Sequence, residues 1–345
     1  MAYITLNINN FFHNLDIITH QTKSKDKIAL VLKDNAYGHG LLEVSMMAQK
    51  YGIKRCVVQN SEEAELVKDF FEYILILADY PLSNNSKMRY TINSIDAILQ
   101  FPKDTKVELK VDTGMHRNGI SIEELSLAFE KIKKQDLRLE AVFTHHRNAD
   151  ELSSEWYWQN SIFKKVKKDS IELAKKFQFQ KPHFHSSNSA SLFRFNNFDE
   201  DMARVGIAAY GCLDMPKSLT IKGFQPVLSL YASKISSRTL TNGAKIGYGA
   251  TYKIEQKSIV SNYDFGYGSG FLRANSNNYI TPQGYKLVGR VSMDNSSFLS
   301  ESDELLIFDN AIEASKFAKT ISYEVLTSLN VDISRTIEAS KISPI

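Results

Sequence analysis

The chain has 345 residues, 43% of them hydrophobic, and its 42 basic and 39 acidic residues leave a net charge of +3. That length allows one large domain and a smaller one, each with a real core. The near balance of charge, with no basic block or arginine-rich arm, argues against a nucleic-acid or membrane-surface role. Cys56 and Cys212 lie far apart in apolar runs, so neither a disulfide framework nor a cysteine-based metal site is expected, and no metal is expected elsewhere. The opening residues, Met1 to Ile8, have no basic stretch followed by an apolar one. No signal peptide and no membrane span are therefore expected, and the expected location is cytoplasmic.

In chain order, residues 1–9 read as a strand able to join the later β region. From 27 to 212, short runs rich in Val, Ile, Leu and Phe alternate with helical patterns. The strand candidates are 28–32, 55–59, 73–77, 89–92, 107–111, 139–144, 183–185 and 203–207. Clear amphipathic helices are predicted over 61–70, 121–134 and 153–177, two of them opened by a Ser-x-x-Glu or Ser-x-Glu cap signal. The lysine-rich stretch at 164–168 falls inside the last and reads as a solvated face. Eight strands alternating with helices predict an α/β fold, a TIM-like (β/α)8 barrel. After about 215 the texture changes to short β-prone segments at 227–233, 245–252, 259–263, 285–291 and 304–308, with a late helix at 312–328. The domains are thus read as a barrel over 10–215 and a mostly β domain over 216–345, joined by residues 1–9.

Barrel chemistry collects at the C-terminal ends of the strands. The first strand ends in Lys33, within Val31-Leu32-Lys33-Asp34-Asn35-Ala36-Tyr37-Gly38-His39-Gly40. Burial at a strand end would lower the pKa of this lysine and make it a usable amine nucleophile and base. Asn35 and the two glycines permit a tight turn. Strand five ends in Lys110-Val111-Asp112-Thr113-Gly114-Met115-His116-Arg117, and strand six in Thr144-His145. Strand seven ends in His185-Ser186-Ser187-Asn188-Ser189, and strand eight carries Arg204-Val205-Gly206-Ile207. All five would meet at one mouth. Ser189 begins a short helical segment whose amides favour an anion, and Gly206 and Ile207 offer further amides, as phosphate sites after strands seven and eight do.

These five stretches, in this order, resemble bacterial alanine racemases, enzymes of the fold-type III class that use pyridoxal 5'-phosphate (PLP). So do Gly247-Tyr248-Gly249-Ala250-Thr251-Tyr252, Gly266-Tyr267, Gly289-Arg290-Val291-Ser292-Met293-Asp294 and Ile321-Ser322-Tyr323. The resemblance covers nearly the whole chain. It implies a two-base interconversion of L- and D-alanine that supplies D-alanine for peptidoglycan. Lys33 would carry the cofactor and act on one face of the substrate. Tyr248, lent by the other subunit of a homodimer, would act on the opposite face. Two opposed groups suit a reaction that removes a proton on one side and returns it on the other. A phenol is a poor base at its usual pKa of about 10, and the family supports it with a relay matched here by His145 and Arg204. Arg204 would face the pyridine nitrogen. As a fixed cation that only donates, it keeps that nitrogen unprotonated.

The resemblance further implies that Tyr37, Ser189, Gly206, Ile207 and Tyr323 hold the phosphate. Arg117 and the amide of Met293 would bind the substrate carboxylate. Lys110 would be carbamylated and so steady Arg117. Tyr267 and Tyr323 would narrow the pocket to a small side chain, with Asp150, Arg273 and Ile321 at the entrance. Departures from the family pattern are His116 for a usual glycine, His146-Arg147-Asn148 after the relay histidine, Val205 for a common proline, and Gly268-Ser269 after Tyr267. They bear on substrate breadth and rate more than on the reaction. The alternatives are a broad-specificity amino-acid racemase, a fold-type III PLP decarboxylase and a non-catalytic PLP-binding protein. Retention of the Gly-Arg-Val-Ser-Met-Asp run, the tyrosine motif and a second domain speaks against the last two.

Overall fold

The computed structural model describes residues 1–81, 85–219 and 221–338; residues 82–84, 220 and 339–345, the last within the predicted second domain, lie outside the described part. All eight runs predicted between 28 and 207 form strands, and they pair in parallel. They are β2 (Ile28–Val31), β3 (Arg55–Val58), β4 (Tyr73–Ile76), β5 (Met88–Ile92), β6 (Lys106–Lys110), β7 (Arg138–Phe143), β8 (His183–His185) and β9 (Ala203–Val205). Their spatial order is β8-β7-β6-β5-β4-β3-β2-β9. Next to β8, the Arg204 amide donates to the Ser187 carbonyl at 2.9 Å and closes the ring. Several strands stop a residue or two before the predicted end. Leu32, Gln59 and Leu77 already turn into the loops that build the mouth.

The helices follow their apolar stripes, with local corrections. The helix α1 (Ile8–Thr22) buries Phe11, Leu15 and Ile18 and is capped by Asn7, which accepts the Asn9 and Asn10 amides. A single turn, α2 (Lys33–Tyr37), precedes α3 (Leu41–Tyr51). The predicted 61–70 helix is α4 (Ser61–Val67), and its cap is Asn60 rather than Ser61. The predicted 121–134 helix shortens to α5 (Leu125–Lys134), because the Ser121 amide bonds Glu124 Oε2 at 2.8 Å and holds the start as a turn. The third is α6 (Glu155–Lys176). Its lysine-rich face is solvated at Lys164, Lys165 and Lys168, but Lys167 folds in to pair with buried Glu200 at 3.0 Å. A short α7 (Ser189–Leu192) follows β8.

In the second region β1 (Tyr3–Asn7) lies between β10 (Leu228–Leu240), antiparallel, and β16 (Ser334–Glu338), parallel. The sheet continues through β13 (Ser258–Tyr263) to β14 (Ser296–Phe298), and β15 (Glu304–Phe308) pairs with β10. The predicted 245–252 strand is split into β11 (Lys245–Ile246) and β12 (Tyr252–Lys253) by a helical turn at Tyr248–Ala250. The predicted 285–291 strand makes only isolated bridges, Ile280 with Lys286 and Leu287 with Phe298. Gly284 and Gly289, at φ 88° and 81°, bend the chain out of extended geometry at both ends. The predicted 312–328 helix breaks into α8 (Ala311–Ala318) and α9 (Ser322–Thr327), because Lys319 turns left-handed at φ 55°. One apolar cluster runs through both regions and includes Leu6, Phe11, Leu30, Val205, Leu230 and Ile307, each fully buried. Each such side chain contributes roughly 1.5–3 kcal/mol. Cys56 and Cys212 are buried and free. Among the described residues, no helix is long and apolar enough to cross a membrane.

Candidate active site

The strand ends surround a cavity of about 770 Å³, and most of the singled-out residues line it. Lys33, Lys110, Arg117, His145 and Arg204 stand on its barrel side. Tyr37, Ser189, Gly206 and Ile207 form one end, and Asp150, Ile321 and Tyr323 the rim. A smaller cavity of about 390 Å³ adjoins it, sharing Asp150, Ile321 and Tyr323. Four residues are elsewhere. Tyr248, Tyr267 and Met293 are exposed at 71%, 43% and 57%, and Arg273 is also exposed, all on loops of the second region. The expected opposition of Tyr248 to Lys33 is therefore not made within one chain.

Lys33 is less buried than its strand position suggests: a third of its side chain is accessible, and Nζ pairs with Asp34 at 3.2 Å. The turn after it runs left-handed over Asp34, Asn35, Ala36 and Tyr37, with φ between 50° and 55°. Left-handed geometry costs an L-residue roughly 1–2 kcal/mol, so this segment is held from outside. The Asp34 amide donates to Glu63 Oε1 at 2.8 Å, and Asn35 Oδ1 accepts the Leu41 amide at 2.8 Å. Arg335 donates to the Gly38 carbonyl at 3.1 and 3.0 Å. A Cβ at Gly38 would sit 2.0 Å from the Leu326 carbonyl oxygen, so the close approach needs glycine.

The turn delivers Tyr37 over the strand-eight exit. Its ring lies 5.5 Å from Tyr210 and 5.6 Å from Tyr323. Burial pushes its phenol well above the usual range, so it stays a donor. A Cβ at Gly206 would meet this ring at 3.0 Å, and only glycine leaves the cradle open. Ser189 Oγ accepts the Gly206 and Ala208 amides at 3.1 and 3.3 Å, which leaves its own hydrogen for an anion. These groups are suited to a phosphate.

At the other end Arg204 is buried and heavily bonded. Nη2 donates to the Thr144 and Ser186 carbonyls at 2.7 and 3.2 Å, and Nη1 to His185 Nδ1 and, at 3.4 Å, the His185 carbonyl. Among the described residues, only Nε of this guanidinium has no acceptor. A ring nitrogen with a free lone pair would satisfy it. The residue bonded to Arg204 is thus His185, not His145. The His145 ring has no hydrogen bond among the described residues and is kept neutral by burial and then by Arg204, Lys110 and Arg117. Lys110 is 9% exposed, and burial with Arg117 and Arg204 lowers its ammonium to about 8.

The departures also have structural readings. His116 adopts φ 53°, a conformation suited to the glycine expected there from the family pattern, and sits 3.5 Å from Asp112. His146 is buried, with neither ring nitrogen bonded among the described residues, and burial holds it down to about 4. Arg147 pairs with Glu155 and donates to the Gly114 carbonyl at 2.8 Å, bracing the loop that carries Arg117. Sequence reasoning gave no role to His185 or to Glu108 behind it. The signal was the alternation Lys106-Val107-Glu108-Leu109-Lys110, which places three charges on one face of a barrel strand.

A parallel barrel with an amine, a neutral imidazole and a fixed guanidinium at its C-terminal mouth, joined to a β domain, has the architecture of a barrel enzyme. Comparison with known proteins narrows the class. The family described as alanine racemase, N-terminal domain, matches residues 6–214, and its C-terminal domain matches residues 227–337. The alanine racemase of a Nitratiruptor species is 44% identical over 336 residues, 97% of this chain and 99% of the relative. That of Campylobacter concisus is 40% identical over 337 residues, again 97% and 99%. The solved alanine racemase of Clostridium difficile 630 superposes with a TM-score of 0.87 at 25% identity, covering 98% of this chain and 96% of that one. The chain belongs to the alanine racemase family.

Proposed function

We propose that this protein is a PLP-dependent amino-acid racemase that interconverts L- and D-alanine in the cytoplasm, supplies D-alanine for peptidoglycan, and works as a homodimer. The observation that carries the reading is the cavity that Lys33 and Arg204 both line, with Arg204 Nε, among the described residues, a donor without an acceptor. Bound PLP would supply the electron sink that acidifies the substrate Cα. Lys33 would hold it covalently. Tyr37, Ser189, Gly206, Ile207 and Tyr323 would take its phosphate, and Arg204 Nε its ring nitrogen.

Lys33 Nζ and the phenol oxygen of Tyr248 from a second copy would move a proton at the two faces of Cα. His145, kept neutral by burial and the cations around it, would orient the phenol by a hydrogen bond. Arg117 and the Met293 amide would orient the substrate carboxylate. Tyr267 would limit the side chain to methyl size. Asp150, Ile321 and Arg273 would form the entrance, the last from the second copy. Lys110, an amine held near neutrality, is a candidate for carbamylation, which would turn a cation beside Arg117 into its partner. A carbamate signal in 13C NMR after addition of labelled bicarbonate, lost in Lys110→Met, tests this.

The main test incubates purified protein and PLP with L-alanine in D2O, following optical rotation and deuterium at Cα. Racemisation predicts loss of rotation with exchange. Carbon dioxide release would indicate a decarboxylase, and bound PLP without turnover a carrier. Equal turnover of larger amino acids would indicate broad specificity.

A further inference from the structure

A chain of polar side chains runs through the barrel interior and ends on the site. At its far end Arg89 on β5 pairs with Glu140 on β7 at 2.7 Å and lies 4.4 Å over the ring of Tyr73 on β4. Lys106 on β6 reaches the same carboxylate at 3.4 Å. The Tyr73 phenol donates to Glu108 Oε1. The other Glu108 oxygen lies 2.9 Å from Nε2 of His185 on β8, and His185 Nδ1 meets Nη1 of Arg204 on β9. Glu108 and His185 are both fully buried, and neither lines the cavity. Phe143 stacks on the His185 ring at 4.7 Å and underlies the Arg204 guanidinium at 5.1 Å.

These contacts determine where the protons sit. An arginine has donors only, so the His185 nitrogen that meets Arg204 must present a lone pair. Burial and Arg204 hold His185 well below its ordinary pKa, so the ring is neutral and carries a single proton. That proton is then on Nε2 and points at Glu108. Glu108 receives two donors, His185 and Tyr73, an arrangement suited to an anion. Burial and Glu140 push its carboxyl up to about 8, while Arg204 and Arg55 pull it down.

We propose that Glu108 and His185 are positioning residues: the carboxylate fixes His185 in the Nε2–H form, and the imidazole lone pair in turn holds the Arg204 guanidinium so that Nε is left for the cavity. With the proton on Nδ1, two donors would face each other and Arg204 would have to turn. The consequence for catalysis rests on the role given to Arg204 under the proposed function; the position of the proton does not.

The test is 15N NMR of histidine-labelled protein, with and without PLP, at about pH 9, where the carboxyl is ionised. The wild type is expected to show His185 neutral with its proton on Nε2. Glu108→Met, which removes the acceptor, is expected to mix the two ring forms and to lower kcat about 10- to 100-fold with little change in KM. Glu108→Gln keeps an acceptor and is expected to restore the Nε2–H form and most of kcat. A wild-type ring protonated on Nδ1, or charged, would overturn the proposal, as would a Glu108→Met protein with unchanged ring form and rate. Should Glu108→Met not fold, the wild-type spectrum and the Gln variant still decide. A wild type that neither binds PLP nor racemises would instead defeat the functional reading and leave the ring result standing.

Discussion

Lys33 and Tyr248 stand in contrasting surroundings. Lys33 opens into a cavity lined by residues of a single chain, where Arg204 is held by the Thr144 and Ser186 carbonyls and by His185. Tyr248 rides on a turn between Gly247 and Gly249, at φ 66° and 72°, and is 71% exposed. Yet its neighbourhood is not slack. The Tyr267 amide donates to the Ser292 carbonyl at 3.0 Å and the Gly268 amide to the Met293 carbonyl at 2.8 Å. A Cβ at Gly266 would fall 2.3 Å from the Met293 carbonyl oxygen. These loops are fixed through their backbones while Tyr248, Tyr267 and Met293 are left bare. Ordered apolar side chains held out to solvent are what a surface completed by another protein displays. Under the proposed function, the difference between the two regions is that the first supplies most of one active centre and the second would complete the centre of another copy.

The sharpest way to break this contrast is at Lys33. Lys33→Ala is expected to abolish the absorbance of bound cofactor near about 420 nm and to remove turnover by at least about 10⁴-fold. Next, Tyr248→Phe should keep that absorbance and lose roughly 10²- to 10³-fold in racemisation; an intact rate would refute the two-base assignment. Tyr267→Asp or Met293→Asp should weaken self-association by about 2 kcal/mol or more, read by sedimentation, with loss of turnover at low protein concentration.

The smallest effect concerns Lys110. Its folded pKa, lowered to about 8 by burial, Arg117 and Arg204, lies below that of the unfolded chain. Between about pH 8 and about pH 10.4 the unfolded state therefore binds more protons, and stability rises with pH by roughly 1–3 kcal/mol. In denaturation of cofactor-free protein in carbonate-free buffer, the stability of wild type relative to Lys110→Met should show this rise, since the buried thiols and phenols titrate alike in both.

The two regions were also unequally legible. The barrel strands follow from short apolar runs, because two-sided burial leaves few other options. The β domain was harder: the run at 285–291 has strand composition, but Gly284 and Gly289 prevent the extended geometry. The left-handed turn after Lys33 was legible only at Asn35 and the glycines. Asp34, Ala36 and Tyr37 adopt it against their own preference, under contacts from Glu63, Leu326 and Arg335 that lie far along the chain. Among the site residues, Lys33 and Arg204 could be found as polar groups at strand ends. Tyr248 could be found only through its motif, since an exposed tyrosine on a turn carries no local signal. His185 and Glu108 went unread because their importance lies in contacts between strands, which alternation along one strand suggests but does not specify.

The most direct measurement mixes two inactive proteins. Lys33→Ala and Tyr248→Phe protomers are unfolded together or co-expressed, allowed to reassort, and assayed for alanine racemisation. If each active centre draws its amine from one copy and its phenol from the other, half of the dimers are mixed and each holds one intact centre. Activity should then return to about a quarter of wild type. Activity no greater than that of the two parents, in a sample shown to contain mixed dimers, would contradict the shared site.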